Sequence, residues 1–180
     1  MKNKPIFDDI EFDSNEEIEF YQWILEAVEA GFISDFTYQP SSYHLSSRKS
    51  MEIIKQLKTK IKSVDKFLLH PHEYTADFLF SPTDTFPTNL GGLIRTTQDA
   101  RFVIDVKGTF QANGGDRSFS INQKWVYDKH GVYVNKVIPE KLFKSTWVPE
   151  LARFTPKTKK LKAKYSKFKT IKQFTEELNN

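Results

Sequence analysis

The run Phe102-Val103-Ile104-Asp105-Val106-Lys107-Gly108 constrains the fold of this chain more than any other segment. It reads as a strand too apolar to face water on either side, yet it carries an acid and an amine two residues apart. Alternation along a strand puts Asp105 and Lys107 on one face, and Phe102, Ile104 and Val106 on the other. Charges in such a setting are paired or have a task. A second short run, Tyr74-Thr75-Ala76-Asp77-Phe78-Leu79-Phe80, also holds one acid among apolar residues and reads as a neighbouring strand. Two acids and a lysine on adjacent strands are suited to holding a hard cation and polarising a phosphate.

The rest of the chain supplies the elements around these strands. Ser14 to Ala30 has helical spacing in Ile18, Tyr21, Leu25 and Val28, with Phe20, Trp23 and Ile24 widening the apolar face. Asp13 or Ser14 caps its start, Glu16 and Glu17 suit the positive end of the helix dipole, and Gly31 stops it. Phe32 to Gln39 is extended up to Pro40. Ser50 to Ile61 places Met51, Ile54, Leu57 and Ile61 at helical spacing and is expected as an amphipathic helix, or as a long loop approaching DNA. Ser81 to Arg101 is a long connection with little periodicity. Ser118 to Tyr127 fits a helix or a strand. Asp128-Lys129-His130-Gly131 reads as a turn, Val132 to Ile138 as a strand, Phe143 to Val148 as a short strand, and Tyr165 to Leu178 as a terminal helix. This order predicts an α/β or α+β domain over 1–150, followed by a basic segment over 151–180.

Composition narrows the chemistry. Sixteen phenylalanines among 180 residues can build a sizeable core. Without cysteine, disulfides and thiolate metal sites are excluded. No apolar run is long enough to span a membrane, and Met1-Lys2-Asn3-Lys4-Pro5 lacks a signal-peptide core, so a soluble cytoplasmic chain with no membrane partner is expected. The net charge of +4 is unevenly spread. Asp8 to Asp35 is acidic, whereas Arg153, Lys157, Lys159, Lys160, Lys162, Lys164, Lys167, Lys169 and Lys172 follow one another with no acid between them. Such a block attracts a polyanion and is the expected nucleic-acid contact; it also fits a solvated tail.

Phosphodiester hydrolysis needs a positioned water and neutralisation of charge building on the phosphate. Mg²⁺, or Mn²⁺ in its place, supplies much of this with only two or three carboxylates as ligands. Asp77 and Asp105 are suitable ligands, the Val106 carbonyl can add another, and Lys107 can touch the scissile phosphate or orient the water. The same Asp105–Lys107 pair fits a salt bridge on a solvated sheet face.

Together, Ala76-Asp77, Asp105-Val106-Lys107 and the acidic first helix resemble the PD-(D/E)xK nuclease superfamily. The stretch Phe12-Asp13-Ser14-Asn15-Glu16-Glu17-Ile18-Glu19-Phe20-Tyr21, followed by Gln39-Pro40, is similar to small phage endonucleases of Holliday-junction-resolvase type. Ala76 stands where the superfamily's name has proline, a position that is not a ligand. The resemblance implies a restriction-endonuclease-like mixed β-sheet flanked by helices, with the acids at one edge. It adds an acid of the first helix to the metal site; Glu17 is that acid by position, with Glu16 and Glu19 as alternatives. It implies Gln123 and Lys124 as polar residues near the phosphate, a homodimer on branched DNA, and the host cytoplasm for a phage-encoded chain. The expected function is therefore Mg²⁺-dependent DNA cleavage. The alternatives are a non-catalytic nucleic-acid-binding protein and an RNA-processing nuclease with the same site.

Overall fold

The computed structural model describes residues 4–87, 90–95, 100–108, 115–155 and 158–179. At the N-terminus, β1 (Ile6–Phe7) and β2 (Ile10–Glu11) form a small hairpin leading into helix α1 (Asn15–Glu29). Ser14 caps α1 by accepting from the Glu17 N–H, as its short polar side chain predicts. At the other end Gly31 takes φ +79°, which a residue with a Cβ resists, and the Phe32 N–H returns to the Ala27 carbonyl at 2.9 Å.

Strand β3 (Ile33–Tyr38) then pairs antiparallel with β8 (Phe78–Pro82), and β8 pairs antiparallel with β9 (Phe102–Val106). Next to β9 lies β10 (Val134–Val137), which is parallel to it. The resulting four-stranded mixed sheet has the order β10-β9-β8-β3, so the fold is α+β, as the sequence predicts. Helix α1 lies on the face of Phe78, Phe80, Phe102, Ile104 and Val106, where Phe20, Trp23 and Ile24 fill the main core. Helix α2 (Gly115–His130) supplies Phe119 and Val126 to the opposite face, against Val103 and Val134. All five residues of β9 are buried because both faces are covered.

Several elements differ from expectation. Residues 50–61 do not form a helix. Instead β5 (Lys49–Gln56) and β6 (Ile61–Leu69) make a long two-stranded ribbon. The helical spacing of Met51, Ile54 and Leu57 loses to a run of cross-strand pairs that includes Ile53 opposite Val64, where β-branched side chains favour the extended backbone. Phe143–Val148 is not a strand: α3 (Pro139–Ser145) takes its first part, started by Pro139 and favoured by Glu140 in its first turn and Lys144 in its last. The 118–127 segment resolves as helix, and α2 continues through the expected turn to His130 before Gly131 ends it at φ +67°. The Asp77 strand is interrupted: β7 (His72–Tyr74) pairs with β4 (Tyr43–Ser46), and β8 begins only at Phe78.

The basic segment beyond residue 150 is anchored by its apolar residues. A short helix α4 (Glu150–Arg153) opens it, and α5 (Ile171–Leu178) forms later than expected. Tyr165 and Phe174 are buried in the main core. Trp147 stacks on Trp23 at 4.8 Å between ring centroids and meets Phe174 at 5.1 Å. These two tryptophans serve the core.

Candidate active site

Asp77 sits at the entry to β8. Its N–H donates to the Ile104 carbonyl and its carbonyl accepts from Gln39. The Asp77 carboxylate accepts from the Val106 N–H at 2.6 Å, so a side chain stands where a ladder carbonyl would otherwise be. On the other side of β9, the Lys107 N–H donates to Val137 in β10 at 2.8 Å. A strand residue directs its N–H and C=O to the same side, so the Val106 carbonyl shares the Asp77 side of the strand.

Asp105 is 4% exposed. The Lys107 ammonium pairs with one of its oxygens, and the Tyr74 hydroxyl donates to the other. The predicted same-face placement of Asp105 and Lys107 is therefore realised, with the lysine bent back onto the acid. Burial, reinforced by the Asp105 charge, pushes the Tyr74 phenol up and keeps it a donor at neutral pH.

The Asp77 carboxyl is raised from its ordinary range. Burial comes first and the nearby Asp105 charge second, and together they push it up to about 7. The Val106 N–H and the Lys107 charge oppose that rise, and the Glu17 charge adds a smaller push upward. Asp77 thus feels both other predicted acids. Around Asp77 the charges of Asp105 and Glu17 outnumber the one ammonium of Lys107.

Glu17 is 5% exposed and held from three sides. Ser14 Oγ donates to Oε1 at 2.8 Å, while the Asp13 N–H at 3.2 Å and the Tyr38 hydroxyl at 2.9 Å donate to Oε2. The first of these makes the Ser14–Glu17 pair reciprocal, since Glu17 N–H also donates to Ser14. Glu19, by contrast, receives Lys162 at 3.0 Å and the Tyr165 hydroxyl at 2.7 Å, which assigns it to anchoring the C-terminal segment. Glu16 has no shared contact with this site.

Among the described residues, no three acidic or histidine side chains stand close enough together to hold one metal ion. Each carboxylate is instead engaged by its own protein donors: Val106 for Asp77, Lys107 and Tyr74 for Asp105, and Ser14, Asp13 and Tyr38 for Glu17. Asp77 with Asp105 and the Val106 carbonyl nevertheless make a donor set that fits Mg²⁺, which keeps several waters and uses one or two carboxylates. Burial first, and the Asp105 charge second, raise Asp77, and the second of these is what a divalent cation would neutralise.

The expected nucleic-acid contacts divide. The Gln123 amide donates to the Val134 carbonyl at 2.6 Å, so it ties α2 to β10, whereas Lys124 is exposed on α2. Arg153 pairs with Glu150, and Lys162 and Lys164 pair with Glu19. Lys159 and Lys160 are exposed. Lys157 lies outside the described residues. The block that reads as a continuous positive charge is thus partly neutralised by the acidic first helix, a long-range pairing that linear charge counting cannot see.

Tyr74, Tyr38 and Asn135 escaped sequence reasoning. Asn135 is buried, donates to the Ile94 and Val103 carbonyls and accepts from the Ile94 N–H, so it holds the chain before β9 against β10. Its sequence signal is an amide among the valines of a short strand that also carries Lys136. For the two tyrosines the signal is weaker still, because nothing local tells which acid a phenol meets. No family model, curated protein or solved structure matches this chain.

Proposed function

We propose that this chain is a metal-dependent DNA endonuclease that hydrolyses phosphodiester bonds, structure-selective in the manner of Holliday-junction resolvases. One observation carries the reading: Asp77 meets the Asp105–Lys107 pair, distant from it in sequence, at the same end of β8 and β9, and the Asp77 carboxyl is raised to about 7 by burial and its acidic neighbour. A salt bridge serving only to hold a sheet together would not require a second acid beside it. The resemblance to PD-(D/E)xK nucleases rests on these same residues.

In this reading Asp77 and Asp105 would hold Mg²⁺ or Mn²⁺ with the Val106 carbonyl, and Glu17 would act from the adjoining helix. When bound, the cation supplies charge neutralisation at phosphorus and acidifies the attacking water. Tyr74 fixes the rotamer of Asp105, and Lys107 brings a compact positive charge to where phosphate charge develops. The partner would be branched or duplex DNA, and a junction's two-fold symmetry favours a homodimer that cuts paired strands.

The test is cleavage with Mg²⁺ of a synthetic four-way junction, linear duplex DNA and matched RNA, by wild type and Asp105→Asn. Wild type should cut the junction best, and the variant should bind without cutting. Wild type that cuts nothing with either metal, or a variant that cuts equally well, overturns the reading. Preferential cleavage of the RNA would move the substrate to RNA.

A further inference from the structure

The β5–β6 ribbon takes no part in the site, yet its register sorts charge by face. Residues directly opposite in an antiparallel pair share a face, and alternate pairs share it too. The pairs Met51–Lys66, Ile53–Val64 and Lys55–Lys62 therefore lie on one face, and the Leu57 N–H to Lys60 carbonyl bond at the turn continues that set. The other face takes Ser50–Phe67, Glu52–Asp65, Ile54–Ser63 and Gln56–Ile61. Lys55, Lys60, Lys62 and Lys66 thus fall together with no acid among them, while both acids of the ribbon fall on the opposite side.

This segregation is costly for folding alone. Lys55 and Lys62 are direct cross-strand neighbours, and like charges so placed destabilise a sheet. All four lysines are exposed, and none has an ion-pair partner among the described residues. Ile53 and Val64, the half-buried pair of the ribbon, lie in the middle of this same face, where lysine stems flank them. Among the described residues no third strand joins β5 or β6, and eight residues of β5 carry the ribbon about 25 Å along its axis.

We infer that the lysine face of the β5–β6 ribbon is a second nucleic-acid contact, gripping the sugar-phosphate backbone of duplex DNA away from the cleavage site. The inference rests on the nuclease reading for the identity of the anion. Charge complementarity selects a polyanion, and a two-stranded ribbon is of a size that lies along a duplex groove. Lysine offers point charges and this face holds no Arg, Asn or Gln, so the contact positions DNA without reading sequence.

The test measures binding of full-length protein to a fluorescent 40-base-pair duplex in EDTA, across a range of KCl concentrations. The variants are Lys55→Gln/Lys60→Gln/Lys62→Gln/Lys66→Gln and, for the opposite face, Glu52→Gln/Asp65→Asn. Each phosphate contact contributes about 0.9 to the slope of log affinity against log salt, so the four-lysine variant should lower that slope by about 3.6 and bind at least tenfold more weakly at 100 mM. The opposite-face variant should match or exceed wild type. Unchanged slope and affinity in the lysine variant overturn the inference, as does a wild type that binds no duplex. A lysine variant that loses self-association in sedimentation while keeping its slope also overturns it, by making the face a contact between copies. Circular dichroism and melting temperature verify that the variant is folded. Because the readout is binding without metal, an active enzyme with an unaffected lysine variant refutes only the ribbon. A duplex-binding wild type whose ribbon variant fails, but which never cuts, refutes only the nuclease.

Discussion

Replacing Asp77 by asparagine should make the metal-free protein more stable at alkaline pH while removing the proposed activity. The carboxyl is pushed up to about 7 in the folded chain, from an ordinary value of 3.8. A raised folded value means that the native state holds the proton more tightly than the unfolded chain. The stabilisation is therefore complete below pH 3.8 and is lost as pH rises to about 7; above that, the fold carries a half-buried charge at a cost. At about 1.4 kcal/mol per pH unit, the gap corresponds to roughly 4 kcal/mol. Asparagine removes the charge and keeps an acceptor for the Val106 N–H, but loses about 1 kcal/mol of charge assistance in that bond. The net gain should be about 2–3 kcal/mol at pH 8, or roughly 5–10 °C in Tm for a chain of this size. At pH 4 the gain should vanish. Thermal or urea unfolding of both proteins in EDTA, from pH 4 to 8, measures it. Parallel pH profiles would refute the assignment of that half-buried charge to Asp77.

Other expectations follow from individual contacts. Adding Mg²⁺ at pH 8 should stabilise wild type by about 2.7 kcal/mol at a hundredfold excess over Kd and leave Asp77→Asn unmoved, as read by melting temperature. Tyr74→Phe leaves one buried Asp105 oxygen without its donor and should cost about 1–3 kcal/mol in urea unfolding. Ser14→Ala removes both the helix cap and one donor to Glu17, for a loss of about 1 kcal/mol by the same assay. Gly91→Ala should destabilise by about 1–3 kcal/mol, because Gly91 has φ +62° and a Cβ there would collide with Leu142.

Local patterns determined much of the architecture. Ser14 and Gly31 bound the first helix in the chain and in the fold alike, because capping and positive φ are local demands. The Phe102–Val106 strand was equally legible: a run with apolar residues on both sides has few alternatives to a covered sheet. So was the placement of Asp105 and Lys107 on one side, which follows from strand alternation alone.

Where local signals were balanced, only tertiary pairing could decide. Met51, Ile54 and Leu57 satisfy a helical period, but the cross-strand pairs with residues 61–69 made them a ribbon and sorted its lysines from its acids. Linear charge counting also missed that Glu19 neutralises Lys162 and Lys164, since α1 and the C-terminal segment meet only after the aromatic core closes. The site shows the same division. Strand patterning indicated which acids belong together, but it could not tell that Tyr74 and Val106 engage them, or that Asp77 bears the raised pKa. Those depend on burial and on distances between residues far apart along the chain, which exist only once the sheet is assembled.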